Sequence, residues 1–189
     1  MKRALLLLAL VAIGLSGCGI PIDAAAHPFP VVTEPGQPTG PKTITVYFVH
    51  GDKLAPVTRA VPAVTPAAAL EALAAGPTLE EGQMGFETAI ETPAGVSLVG
   101  NQWAPVATVN LNSNFLGLPE GLLPLAYGQI VYTLTGLGLG TRAVQFVIGA
   151  TDFPWPLVFL PGGTTVSSGE VYRVSYCSIA TTGCKGVSL

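Results

Sequence analysis

Charge is scarce in this 189-residue chain: Asp, Glu, Lys and Arg make up 10% of it, and the formal balance at neutral pH is −3. A nucleic-acid surface needs clustered Lys and Arg, and with Lys2 and Arg3 set aside only six basic residues face 11 acidic ones. Nucleic acid is therefore excluded as a partner. Histidine is almost missing, His27 and His50 being the only two, which leaves little for general-base work or for a zinc site. No apolar run reaches the ~20 residues that a permanent membrane-spanning helix needs, the longest being residues 4–15. What is plentiful is glycine (23) and proline (17), which break the chain into short segments and exclude long uninterrupted helices. Apolar residues at 49% and aromatics at 7% still supply a core, so the chain is not disordered, and its length fits one domain plus a tail.

The first 17 residues read as an address. Lys2 and Arg3 precede the apolar run 4–15, and Ser16, Gly17 and Cys18 follow it, the order of a secretory signal. Leu15-Ser16-Gly17-Cys18 resembles the bacterial lipobox. The small residues would admit the peptide to a lipoprotein signal peptidase, and the Cys18 thiol would take a thioether-linked diacylglycerol, its freed amine a further acyl chain such as palmitate. Two or three acyl chains hold a protein at a membrane where one does not. The expected location is thus the extracytoplasmic side of the cell membrane, lipid-anchored. Residues 18–42 then form a linker, with six prolines between positions 19 and 42 and no apolar periodicity. Extended, that linker reaches about 75 Å, and His27 within it is expected to be solvated.

With Cys18 lipidated, Cys177 and Cys184 remain as an even pair in an oxidising compartment, and a disulfide closing CSIATTGC is the expectation. A metal is the weaker reading, since two cysteines without a neighbouring histidine leave zinc two ligands short; two free thiols are the other alternative.

The domain proper is read from 43 to 189. TITVYFVH (43–50) alternates Ile44, Val46 and Phe48 with Thr45, Tyr47 and Val49, a strand. Gly51-Asp52-Lys53 turns the chain into a partner strand over 54–61, which Pro56 places near a sheet edge. Thr65-Pro66 starts a helix over 66–75 that Gly76-Pro77 stops. Residues 78–95 read as a solvated loop carrying Glu80, Glu81, Glu87 and Glu91. A second strand pair follows over 96–99 and 106–111, then a helix from Pro124 ended by Gly136, Gly138 and Gly140, a strand over 143–148 and a short one over 157–160. The order β-β-α-β-β-α-β predicts an α+β, two-layer sandwich: a small mixed sheet covered on one face by two helices.

These residues carry a resemblance. TVYFV, the stretch 54–61 with Pro56, Val57 and Arg59, AALEALAAGPTLEE, the Thr88-Ala89-Ile90 element, ATVNLNSNF, QIVYTLTGL, AVQFVIG and EVYRVSY follow one another in the order and spacing of the sporulation and spore-germination (GerMN) domain family. The chain resembles that family over residues 43–176, with Glu71, Gly76-Pro77-Thr78 and Gln129 to Thr135 as its best anchors. It departs from the pattern at Glu91-Thr92 and in the GLGLG turn. The resemblance implies a compact α/β module of envelope assemblies, carried by extracytoplasmic lipoproteins, with no established catalytic activity. Functions that depend on the propeller domain found in some relatives are not carried over, nor is sporulation itself.

Chemistry independent of the resemblance is thin. His50 with Asp52 two residues on is the one candidate base in the domain, and a strand-end imidazole is more commonly solvated or bonded to backbone. Ser97 and Ser167-Ser168 lack a nucleophile elbow, and GLGLG lacks the Lys-Ser/Thr of a phosphate loop. Glu80-Glu81 read as a solvated acidic face. The aromatics Phe153 and Trp155, flanked by Pro154 and Pro156, are the residues expected to meet a partner or a glycan, with Trp103 a weaker candidate. The reading is a lipid-anchored, non-enzymatic envelope protein that binds an envelope protein or assembles with itself, without metal or cofactor. The alternative is a lipoprotein that binds a small ligand or a cell-wall glycan in an aromatic pocket near Trp155.

Overall fold

The computed structural model describes residues 40–90, 95–149, 151–152, 155–159, 163–167 and 169–184, with backbone alone for residues 116 and 151–167. Cys18, the linker through residue 39 and Phe153 lie outside the described residues.

Strand β1 (Lys42–His50) and strand β2 (Lys53–Val61) form an antiparallel hairpin in which His50 faces Lys53 across a two-residue turn. Gly51 has φ 66° at the first central position, where this kind of turn needs glycine. Helix α1 (Pro66–Ala74) begins as its sequence directs: Thr65 Oγ1 accepts from Ala68 N–H at 3.1 Å and Pro66 takes the first helical position. Its residues Ala69, Leu70 and Leu73 are buried.

The stretch read as a loop holds structure. A short helix, α2 (Leu79–Gln83), is closed by a reciprocal capping box between Thr78 and Glu81, and strand β3 (Phe86–Glu87) pairs with Val49 and His50 of β1. Sheet one therefore has the order β2-β1-β3. The second sheet holds β4 (Val96–Val99), β5 (Val106–Leu111), β6 (Ala143–Ile148) and β10 (Glu170–Tyr172) in the order β10-β6-β5-β4, with β7 (Thr151–Asp152) also on β6. A hairpin of β8 (Trp155–Phe159) and β9 (Gly163–Ser167) stands as a third pairing. The α+β class is thus observed, with the strands divided among three sheets; α2 and β3 are added where the order β-β-α-β-β-α-β has a loop, and β7 to β10 follow β6.

Helix α3 (Leu123–Thr135) is the hub. It crosses over between β5 and β6, which are parallel and so need such a connection, and it packs on β1, α1, β6 and the 3-10 segment Arg173–Ile179. Ala126 to Leu134 are buried without interruption, because the helix has protein on all sides. Gly128 permits the closest of these approaches: a Cβ there would lie 2.7 Å from Leu54 Cδ1. Among the described residues no helix is long and apolar enough to cross a membrane.

Candidate functional site

The functional geometry follows from how the two edges of the first sheet are treated. Tyr47 faces Pro56 in the β1–β2 register. Pro56 has no N–H, so this is a pair in which both residues turn their backbone groups away from each other, which is how a proline is accommodated in a strand. The outward groups of Tyr47 are taken by α3: its N–H donates to Thr133 Oγ1 at 3.1 Å, and its carbonyl accepts from Gln129 Nε2 at 3.0 Å. Gln129 also accepts from the Ala89 N–H at 2.8 Å through Oε1 and contacts Thr88 Oγ1 at 3.4 Å. Two helix residues four apart thus stand in for a neighbouring strand at mid-β1, and β3 continues the closure at Val49 and His50.

Alternation then fixes β2. Leu54, Pro56, Thr58 and Ala60 turn their backbone groups outward, away from β1. Leu54 is covered: its carbonyl accepts from Thr181 N–H at 2.9 Å and Thr181 Oγ1 at 3.1 Å, beside a parallel bridge to Ala180. Beyond it the Pro56 carbonyl and both backbone groups of Thr58 and Ala60 have no backbone partner among the described residues, and those three side chains are exposed. Among the described residues the sheet has one edge closed and the other open beyond Leu54.

The C-terminal segment that covers Leu54 is itself fastened. Cys177 and Cys184 are joined by a disulfide with Cα atoms 4.7 Å apart, and Lys53 Nζ donates to Ser178 O at 2.9 Å. Arg173 donates from Nη2 to Tyr47 Oη at 2.8 Å and lies 4.2 Å from the centre of the Tyr132 ring, which meets Tyr47 edge-on at 5.0 Å. On the other side Arg59 makes a bidentate ion pair with Glu81, lies 5.2 Å from the Phe48 ring centre and donates to Gly76 O at 3.3 Å. The reading of Glu81 as a solvated acid is corrected here. Its hydrogen bond to Arg59, above all, holds its carboxyl below the ordinary value, against a smaller opposing effect of burial.

Among the described residues His50 meets a backbone carbonyl and an aromatic ring. Its Nε2 lies 3.2 Å from Met84 O and its ring 5.0 Å from that of Phe86, so the imidazole fastens the β3 turn to the end of β1. Burial raises the Tyr127 phenol to about 12 and the Tyr176 phenol well above its usual value, so both stay protonated at neutral pH. Among the described residues no group of three or more His, Cys, Asp or Glu is placed to hold a metal ion. Trp103 is 52% exposed in the β4–β5 connection, its N–H bonded to Asn101 Oδ1 at 3.0 Å. Trp155 falls in β8, where only the backbone is described, and Phe153 is outside the described residues; Trp103 and Trp155 are not on the β2 edge. Sequence reasoning missed Gln129 and Thr133 as working residues. The signal was present, since a Gln and a Thr four apart in an otherwise apolar helix must find buried partners.

A family model described as sporulation and spore germination (Germane) matches residues 45–150. No curated protein is matched by the sequence. Among solved structures, the first GerMN domain of the sporulation protein GerM from Bacillus subtilis superposes with a TM-score of 0.54 at 18% identity, covering 70% of this chain and 98% of that domain. The tandem GerMN domains of the same protein give a TM-score of 0.53 at 15% identity, covering 70% of this chain and 46% of that one. The match thus spans about half the length of the tandem structure, and at these identities the likeness is one of fold.

Proposed function

The chain belongs to the Germane family, sporulation and spore germination, and from that premise we propose that it is a lipid-anchored envelope protein whose domain serves assembly, not catalysis. The observation that carries this reading is the open stretch of β2. Five backbone groups, the carbonyl of Pro56 and the N–H and C=O of Thr58 and Ala60, are oriented to receive an added strand, from a partner protein or a second copy. Exposed apolar side chains beside the sheet, Leu79 at 83% exposure and Met84, add contact area on α2 and the turn after it. The leader, Cys18 and the proline-rich linker would hold the domain outside the membrane and clear of the headgroups.

The test uses the full chain in native membranes with a photoreactive side chain at Ala60. Crosslinking to one envelope protein or to a second copy is expected. Thr58→Pro should abolish it while leaving thermal stability near wild type, because the Thr58 N–H takes no part in the β1 ladder. A crosslink undiminished in the Thr58→Pro chain would refute edge pairing. Cys18→Ser should move the protein from the membrane fraction to the soluble one, and full retention would refute the lipid anchor.

A further inference from the structure

The second sheet carries helix α3 on one face, and its other face presents a notch. In register across β10, β6 and β5 stand Tyr172, Ala143 and Val106, and two residues along on the same face Glu170, Gln145 and Thr108. Ala143 itself is buried, and with it Pro105, Val106, Arg142, Glu170 and Tyr172 line a cleft of about 360 Å³. That is the lower range of small-ligand sites. Pro105 O accepts from Arg142 N–H at 2.8 Å and Ala143 N–H at 3.3 Å, which fixes the rim.

The charges in this cleft are opposite and are not paired with each other. Arg142 is exposed and makes no ion pair or side-chain hydrogen bond among the described residues. Glu170 accepts the Tyr172 phenol on Oε2 at 2.6 Å, which leaves Oε1 open. That hydrogen bond, with the charge behind it, raises the Tyr172 pKa while Arg142 pulls the other way, so both charged groups act on one phenol. An anion would meet Arg142 but be repelled by Glu170, and a cation the reverse. A neutral sugar would leave both charges without a counter-charge. A molecule carrying a carboxylate and an ammonium satisfies both.

We propose that this cleft binds a small zwitterion, an amino-acid head whose carboxylate meets Arg142 and whose ammonium meets Glu170 beside the Tyr172 ring. The head belongs to a free amino acid or to the amino-acid end of a cell-wall stem peptide, two sources with one chemistry. The site is independent of the β2 edge and of the assembly reading.

The experiment is saturation-transfer NMR on the full-length protein in detergent, titrated with alanine and with a stem tripeptide ending in diaminopimelate. Saturable binding is expected, with a dissociation constant on the order of tens of mM, as two solvent-exposed charge contacts allow. Tighter binding of the tripeptide assigns the site to wall peptide, and equal binding to free amino acid. Arg142→Gln and Glu170→Gln should each weaken binding about fivefold or more without shifting the melting temperature, since both side chains are exposed. Acetylating the diaminopimelate amine should abolish binding. No saturable signal from either probe, undiminished binding of the acetylated tripeptide, or wild-type affinity in both variants would overturn the proposal.

Discussion

Replacing Gln129 by Leu tests whether the helix substitutes for a strand at Tyr47. Leu keeps most of the side-chain volume but removes the acceptor for Ala89 N–H (2.8 Å) and the donor to Tyr47 O (3.0 Å), both bonds being buried. An orphaned buried backbone group costs about 1–3 kcal/mol, and the added apolar surface of Leu returns part of that, so the net loss should be about 3 kcal/mol. Thr133→Val orphans one group, the Tyr47 N–H, and should cost about 1–2 kcal/mol. Thr135→Val is the control. Its hydroxyl donates at 2.6 Å to Val131 O, a carbonyl within the helix ladder, and its loss should cost less than about 0.5 kcal/mol. Equilibrium urea unfolding reads these differences as midpoint shifts at unchanged slope. For a unit of this size 3 kcal/mol lowers the melting temperature by about 6–12 °C. The Gln129–Thr133 double variant should lose less than the sum, because once the β1 edge is freed of one anchor the second holds it less well. A Gln129→Leu loss under about 0.5 kcal/mol, or a Thr135→Val loss equal to that of Thr133→Val, would refute the reasoning.

Gly128→Ala sets a helix-propensity gain of about 1 kcal/mol against overpacking of about 1–3 kcal/mol, because the new methyl meets Leu54 Cδ1 at 2.7 Å. The net should be destabilising, and in a Leu54→Ala background the same change should become neutral or stabilising in urea melts. The Glu81 carboxyl is lowered from 4.5 in the folded state, so its contribution is fully present above about pH 4.5 and is lost as pH falls through the lower folded value. Arg59→Gln should flatten that part of the acid-unfolding profile, and an unchanged profile would contradict the assigned cause. Reducing the Cys177–Cys184 bond, whose partners are seven positions apart, should cost at most about 2.5 kcal/mol. Hydrogen exchange should then quicken first at Thr181, and protection kept at that amide would show that the bond does not hold the Leu54 cover in place.

The parts of the fold legible in the sequence are those whose cause is local. Thr65-Pro66, Gly51 and the alternation 44–48 each carry their own instruction, so α1 and the β1–β2 hairpin could be read directly. Within the stretch read as a loop, α2 and β3 escape because the acids and glycines weigh the composition toward loop, while the capping box Thr78 to Glu81 depends on a spacing of three that composition does not register. The partner of Glu81 was invisible for another reason: Arg59 lies 22 residues away, brought near only when β2 and α2 fold together. The division into separate sheets was equally out of reach. Periodicity reports that a strand has two faces, but not that the free edge of β1 will be met by Gln129 and Thr133.

Pro56 links these observations to specificity. It lies on the outward side of β2, so it removes a donor from the open edge without weakening the ladder to β1, the position in which edge prolines discourage indiscriminate strand addition. With Leu54 already covered by Thr181, a strand added to β2 is confined to the span from Pro56 to Ala60. Its register is set as well, because a carbonyl placed against the missing N–H of Pro56 would be left unsatisfied. Under the proposed strand addition, an edge bounded on one side by a disulfide-fastened loop and interrupted by a proline would admit a short segment in few registers, which is how a strand edge selects among partners.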